Sequence, residues 1–167
     1  MNIVAIGAHP DDLEIFAYGF LAAASSRGDN LILGVATDGA AGGVNKGAEL
    51  ARQRADEARN GLAALGTPTL LDLPDGQLAD APNARNRIRD FIRNAAPDLV
   101  ITHAPEDYHP DHRALAAYVR DAAGFICPVL FCDTLMGVGF APDYYIDISA
   151  HFAAKQKAIM AHHSQDP

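Results

Sequence analysis

Short β-rich runs alternate with longer Ala- and Leu-rich stretches along the whole chain, and this alternation restricts the fold more than any other feature. Candidate strands lie at Ile3–Gly7, Leu31–Thr37, Thr69–Leu73, Leu99–Thr102, Val129–Cys132 and Tyr145–Ile148. Candidate helices occupy Leu13–Ser26, Ala48–Leu65, Ala84–Ala95, His112–Ala123 and Ala150–His162, with Gly28, Gly66 and Pro97 as stop signals. The first, second and fourth strands are nearly continuous apolar runs, the pattern of strands covered on both faces. βα units of this length predict an α/β fold of three layers, a mostly parallel sheet with helices on both sides.

A chain of 167 residues is expected to hold one such domain, and no repeat or long linker divides it. Its 49% hydrophobic content excludes disorder, while no apolar run approaches the ~20 residues of a membrane span. Thirteen basic residues against 21 acidic give a formal charge of −8, which argues against nucleic acid or an anionic membrane as partner. A small molecule is the expected partner. The N-terminus enters the first strand with no basic stretch ahead of it, so a cytoplasmic protein without a signal peptide is expected. Cys127 and Cys132 form no Cys-x-x-Cys pair and read as two buried thiols of a reducing compartment. None of the four serines sits in a Gly-x-Ser-x-Gly turn, and no Gly-rich phosphate loop is present.

In a doubly wound sheet ligands bind beyond the carboxyl ends of the strands, at the switch point. Two ionisable clusters fall there. One is Gly7-Ala8-His9-Pro10-Asp11-Asp12, after strand one; the other is His109-Pro110-Asp111-His112, after strand four. Strands one and four flank the switch point, so the fold brings the clusters face to face. Capping of the first helix would explain one aspartate, but not a histidine beside two acids. His9, Asp12 and His112 supply two nitrogens and one oxygen, the donor set of a catalytic zinc site with an open position. Asp11 then remains as a general base and His109 as a group to stabilise an oxyanion or protonate a leaving amine. Asp111 is placed to hold the His109 ring.

Gly-Ala-His-Pro-Asp-Asp-Leu-Glu at 7–14, paired with His-Pro-Asp-His at 109–112, resembles the LmbE-like, or PIG-L, family of zinc-dependent N-acetylglucosaminyl deacetylases. Supporting features are Thr37-Asp-Gly39, Arg54-x-x-Glu57, Ala63-Ala-Leu-Gly66, Leu73-Pro-Asp-Gly76, Tyr145-Ile-Asp147 and the closing Ala161-His-His-Ser-Gln165. The resemblance implies a Rossmann-like fold and hydrolysis of an N-acetyl group on an amino sugar. By position it makes His9, Asp12 and His112 ligands of Zn²⁺, or of Fe²⁺ in its place. Asp11 becomes the general base and His109 the electrophilic or acid partner. Ala40 stands where many members carry a Glu, and the chain stops where many relatives continue. The expectation is a single LmbE-like domain over residues 1–167 without that extension, its site open or closed by another subunit of a homo-oligomer. Alternatives are a metal-dependent hydratase or lyase of the same superfamily, and a non-catalytic metal- or sugar-binding module.

Other residues carry two readings each. Arg54 binds a substrate hydroxyl or phosphate, or pairs with Glu57 along its helix. Asp38 and Gly42-Gly43 border the pocket or form a surface loop, and the loops Asp38–Gly47 and Asp133–Ala141 are expected to select the substrate. Glu14 orients His9 or the water, or is a solvated acid. His162 and His163 complement a helix C-terminus or stand behind the site. His103 caps a loop, and His151 lies at the surface.

Overall fold

The computed structural model describes residues 1–134, 137 and 139–167. Five parallel strands, β1 (Asn2–Gly7), β2 (Asn30–Thr37), β3 (Thr69–Leu73), β4 (Leu99–His103) and β5 (Val129–Cys132), form one sheet in the order β3-β2-β1-β4-β5. Five helices link and cover them: α1 (Tyr18–Ser26), α2 (Ala48–Leu62), α3 (Ala84–Asn94), α4 (Pro110–Ala123) and α5 (Phe152–Ile159). This is a three-layer, Rossmann-like α/β fold, with the strand order reversing between β1 and β4.

The alternation of side chains along β1 builds both cores. Val4, Ile6 and Ala8 face α3 and α4, where they meet Ile88, Ile92, Leu115 and Val119. Ile3 and Ala5 face the other way, against Tyr18 and Leu21 of α1, Leu62 of α2 and Ala158 of α5. Every apolar side chain of β1 from Ile3 to Ile6 is fully buried, as a central parallel strand requires. β5, at the edge, is half-buried throughout.

The structure departs from the sequence reading in four places. Residues 145–148 form no strand: Tyr144 and Tyr145 stand 78% and 88% exposed, and the chain returns to helical structure only at Ser149. Ile148 packs instead on α1, where a Cβ on Gly19 would lie 2.5 Å from its Cγ2, so contact with a helix overrides strand propensity there. The first helix does not begin as an α-helix; Leu13–Ala17 is a π turn that passes into α1. The last helical stretch is α5 flanked by short 3₁₀ turns at Ser149–His151 and His163–Gln165. The fourth helix starts earlier than expected, at Pro110, whose fixed φ suits the first helical position.

A bulge aims one more loop at the switch point. Asp72 adopts φ +44° inside β3, where the pairing with β2 slips between Val35 and Thr37. The strand then turns Leu73-Pro74-Asp75-Gly76 toward the end of β1. Of the loop Asp133–Ala141, residues 135, 136 and 138 lie outside those described.

Candidate metal centre

The end of β1 folds back on itself so tightly that a Cβ on Gly7 would lie 2.7 Å from Cβ of Asp12. His9 N–H donates to Asp12 Oδ2 at 2.6 Å, and Asp12 N–H donates to His9 O at 3.3 Å. Between them Asp11 is held at φ +135°, a region that L-residues avoid and that persists only where surroundings enforce it. The π turn at Leu13–Ala17 follows at once; such turns concentrate at functional sites. Asp12 makes no side-chain cap on this helix. Its carboxylate is turned back toward the imidazoles instead, so the capping alternative is not realised.

The fold brings the two motifs together across about a hundred positions. His9 Nδ1 lies 3.2 Å from His112 Nε2 and 3.4 Å from Asp12 Oδ2, and His112 Nε2 lies 3.4 Å from Asp12 Oδ1. Bonds of about 2.0–2.2 Å in a tetrahedral zinc site place neighbouring donors roughly 3.3–3.5 Å apart. The three side chains therefore fit an ion between them, and all three are buried.

Each imidazole is fixed from behind. His112 Nδ1 faces Asp107 Oδ2 at 3.0 Å, and His9 Nε2 faces Asp75 Oδ1 at 3.2 Å and Asp111 Oδ2 at 3.3 Å. A carboxylate on the far nitrogen of a ligating histidine sets its tautomer and ring orientation. Burial alone would lower the His9 pKa, but hydrogen bonds to Asp111, Asp12 and Asp75 outweigh it and raise it to about 12. Among the described residues, Asp12, Asp75, Asp107 and Asp111 set carboxylates against these imidazoles, and Asp11 sets one against Arg54. Carboxylates and imidazoles gathered this closely are the donor types a divalent cation takes.

Asp11 stands beside the donors, half-buried. Desolvation and the neighbouring Asp12 raise its pKa, while the charges of Arg54, His162 and His9 draw it down; the net direction is upward. Arg54 is buried and donates to Asp11 Oδ2 (3.0 Å), Pro10 O (2.9 Å) and Gly39 O (3.2 Å). The pairing with Glu57 is not what forms; the Arg54 donors go to Gly39 and to the turn that carries Asp11.

His109 is half-buried, its ring centroid 4.6 Å from that of His9 and 4.7 Å from that of His112. Its Nδ1 accepts the N–H of Asp111 at 3.2 Å, which caps α4 and leaves the ring's own proton on Nε2. Burial and the adjacent imidazoles lower its pKa, favouring the neutral ring. The Asp111 carboxylate, expected on His109, lies instead against His9 and accepts N–H groups from Gly76 (2.7 Å) and Leu78 (3.0 Å). Only the main chain of Asp111 reaches the His109 ring.

Asp38 Oδ1 accepts the N–H groups of Ala40 (3.0 Å) and Asp75 (3.3 Å), and the residue lines a groove of about 400 Å³ with Pro10, Thr37, Arg52, Arg59 and Asp72. The sequence reading passed over Asp75 and Asp107 as site residues. Asp107 was within reach of it, since a carboxylate two and five residues before the motif histidines can reach both. It accepts the His109 N–H at 2.9 Å as well as facing His112. His103, rather than capping a loop, receives the Ala8 N–H at 3.0 Å, lies 3.0 Å from Asp12 Oδ2 and stacks on His112 at 3.7 Å. Glu14 is neither solvated nor turned toward His9; it is buried against His162. Both cysteines are free.

Residues 4–123 match the family model PIG-L, described as GlcNAc-PI de-N-acetylase. The chain is 29% identical to diacetylchitobiose deacetylase of Thermococcus kodakarensis, over 99% of this chain and 70% of that protein. It is 30% identical to the uncharacterized deacetylase YaiS of Escherichia coli, over 98% of this chain and 91% of that protein. Among solved structures, N,N'-diacetylchitobiose deacetylase from Pyrococcus horikoshii superposes with a TM-score of 0.85 at 26% identity, covering 99% of this chain and 70% of that one.

Proposed function

Because the chain belongs to the PIG-L, LmbE-like family, we propose that it is a metal-dependent hydrolase removing the acetyl group from an N-acetylated amino sugar or sugar conjugate. The observation that carries this reading is the trio of donors on His9, Asp12 and His112, spaced for one ion, with Asp11 on the adjacent backbone. The activity named for the two diacetylchitobiose deacetylases supports the N-acetyl sugar as substrate class.

His9, Asp12 and His112 would hold Zn²⁺, or Fe²⁺ at the same ligands. When bound, such an ion supplies a Lewis acid for the amide carbonyl and makes water more acidic. Asp11 takes the proton of the attacking water; its raised pKa brings it toward the neutral range in which a base and its conjugate acid both serve. Arg54 holds that carboxylate in place. His109 offers Nε2–H to the oxygen on which charge develops, as an oxyanion donor whose orientation is set by the Asp111 N–H. The proton gathered by Asp11 then passes to the departing amine. Asp111, Asp75 and Asp107 fix the ligating rings, and Asp38 borders the groove beside Pro10.

Among the described residues no helix is long and apolar enough to cross a membrane. A single cytoplasmic domain working as a homo-oligomer belongs to the same proposal, checked by light scattering and cell fractionation. The test of function is metal analysis coupled to acetate release over a panel of N-acetylglucosamine conjugates. One bound ion per chain with acetate released from at least one conjugate is the expected result. A metal-loaded chain that releases no acetate from any of them overturns the reading.

A further inference from the structure

Behind the catalytic turn, His162 Nε2 lies 2.8 Å from Glu14 Oε1, joining residues 148 positions apart. Each is about 1% exposed. Glu14 belongs to the π turn directly after Asp12. His162 lies just past α5, before the closing 3₁₀ turn His163–Gln165. A buried pair of this kind carries a desolvation cost that often cancels its attraction, so stability alone is a weak reason for it. Its better-attested use is to fix one arrangement among several.

What it fixes is visible in its neighbours. Gly61 of α2 is the contact that lets the pair form, since a Cβ there would lie 2.5 Å from Glu14 Oε1 and 3.2 Å from His162 Nε2. Two residues beyond His162, Ser164 gives both its N–H (2.9 Å) and its hydroxyl (2.5 Å) to Glu57 of the same helix, which also accepts from Gln53 at 2.9 Å. Glu57 stands one turn from Arg54, the residue that grips Asp11 and Pro10. The segment His162–Ser164 thus ties two elements that together carry Asp11: the π turn, through Glu14, and α2, through Glu57. Asp11 itself sits at φ +135°, a conformation that its own turn does not favour.

We propose that His162 is a positioning residue, acting through Glu14 to hold the π turn and, with it, the strained backbone of Asp11. This rests on the reading of Asp11 as the base. The segment is a clasp whose hydrogen bonds run to Glu14 and Glu57.

The experiment compares His162→Ala, His162→Gln and Glu14→Gln with the unaltered full chain loaded with zinc. In His162→Ala kcat is expected to fall about tenfold to a hundredfold, the scale on which small misplacements act, with KM changed by no more than about twofold. Zinc stoichiometry stays at one. His162→Gln, whose amide N–H can still reach Glu14, recovers most of the loss, and Glu14→Gln, which keeps an acceptor, loses less than His162→Ala. Amide hydrogen exchange gives a second readout independent of turnover: Asp12 to Ala17 lose at least about tenfold of their protection, while β1, β2 and β4 keep theirs. Unchanged kcat and unchanged local exchange overturn the proposal. So does protection lost evenly over the whole chain, which marks a merely structural role. If His162→Ala does not fold, the two glutamine variants decide by the same criteria. If the unaltered chain hydrolyses no N-acetyl sugar, the proposed function fails, and the exchange pattern alone decides whether the clasp exists.

Discussion

Arg54 Nη2 lies 3.0 Å from Asp11 Oδ2 and 2.9 Å from Pro10 O, so one nitrogen holds both the carboxylate and the backbone of the strained turn. A guanidinium suits this position because its planar fork can serve several acceptors while remaining charged when buried. It also acts on Asp11 electrostatically. Burial and the Asp12 carboxylate push the Asp11 pKa up, and the Arg54 charge is the largest influence pulling it down.

Removing that charge has a direction that can be worked out. In Arg54→Gln the carboxylate form of Asp11 loses its main support, so its pKa rises further. The base must be ionised to accept a proton, and the acidic limb of the kcat profile therefore moves to higher pH. Activity at pH 6 falls more than activity at pH 8, which steady-state rates across the range will measure. A rise in KM with an unmoved limb would return Arg54 to the role of a substrate contact.

Asp11→Asn separates chemistry from metal binding. The amide keeps the size of the side chain and can still meet Arg54, but it cannot take a proton. Turnover is expected to fall by about 10²–10⁴, the usual worth of a general base, with one ion still bound per chain. Turnover near that of the unaltered chain removes Asp11 from the base role.

Loss of a ligand and loss of the carboxylate behind it should differ in kind. His112→Ala removes a donor and is expected to abolish stoichiometric metal. Asp107→Asn leaves the donor but replaces the acceptor 3.0 Å from His112 Nδ1 and 2.9 Å from the His109 N–H. Chelator competition should then show metal affinity reduced by about 10–100-fold with the site still able to fill. Equal behaviour of the two variants would mean that Asp107 is itself a ligand.

The parts legible in the sequence are those governed by short-range pattern. Apolar runs marked β1, β2 and β4, and the switch between β1 and β4 placed His9 and His112 face to face. Tyr145–Ile148 shows the limit: a run with strand composition stays irregular, its Ile148 packed on Gly19 of α1. The site divided in the same way. His9, Asp11, Asp12, His109 and His112 were singled out because they crowd into two short motifs. Asp75 and His162 lie within the supporting motifs Leu73-Pro-Asp-Gly76 and Ala161-His-His-Ser-Gln165, but their partners are set by the bulge at Asp72 and by packing onto Glu14, which no local pattern shows. Glu14 reads equally as a group orienting His9 or as a solvated acid, because sequence cannot show which side of a π turn faces the core.

Gly61 allows a stability prediction whose sign is set by the structure. In a helix, Gly→Ala ordinarily stabilises by about 0.5–1 kcal/mol, because alanine loses less backbone freedom on folding. At this position the new Cβ would stand 2.5 Å from Glu14 Oε1, closer than real Cβ contacts come, and 3.1 Å from Ala158 O, tighter than most. Glu14 is boxed in by His162 and by burial, so it cannot swing aside without giving up its hydrogen bond. Overpacking of this kind costs about 1–3 kcal/mol, which outweighs the propensity gain. Gly61→Ala is therefore expected to be less stable by about 1–2 kcal/mol, a fall in Tm of roughly 2–8 °C for a chain of this size. Thermal unfolding of the metal-loaded protein measures it, and a Tm equal to or above that of the unaltered chain would mean that α2 and the π turn can separate at Gly61 at little cost.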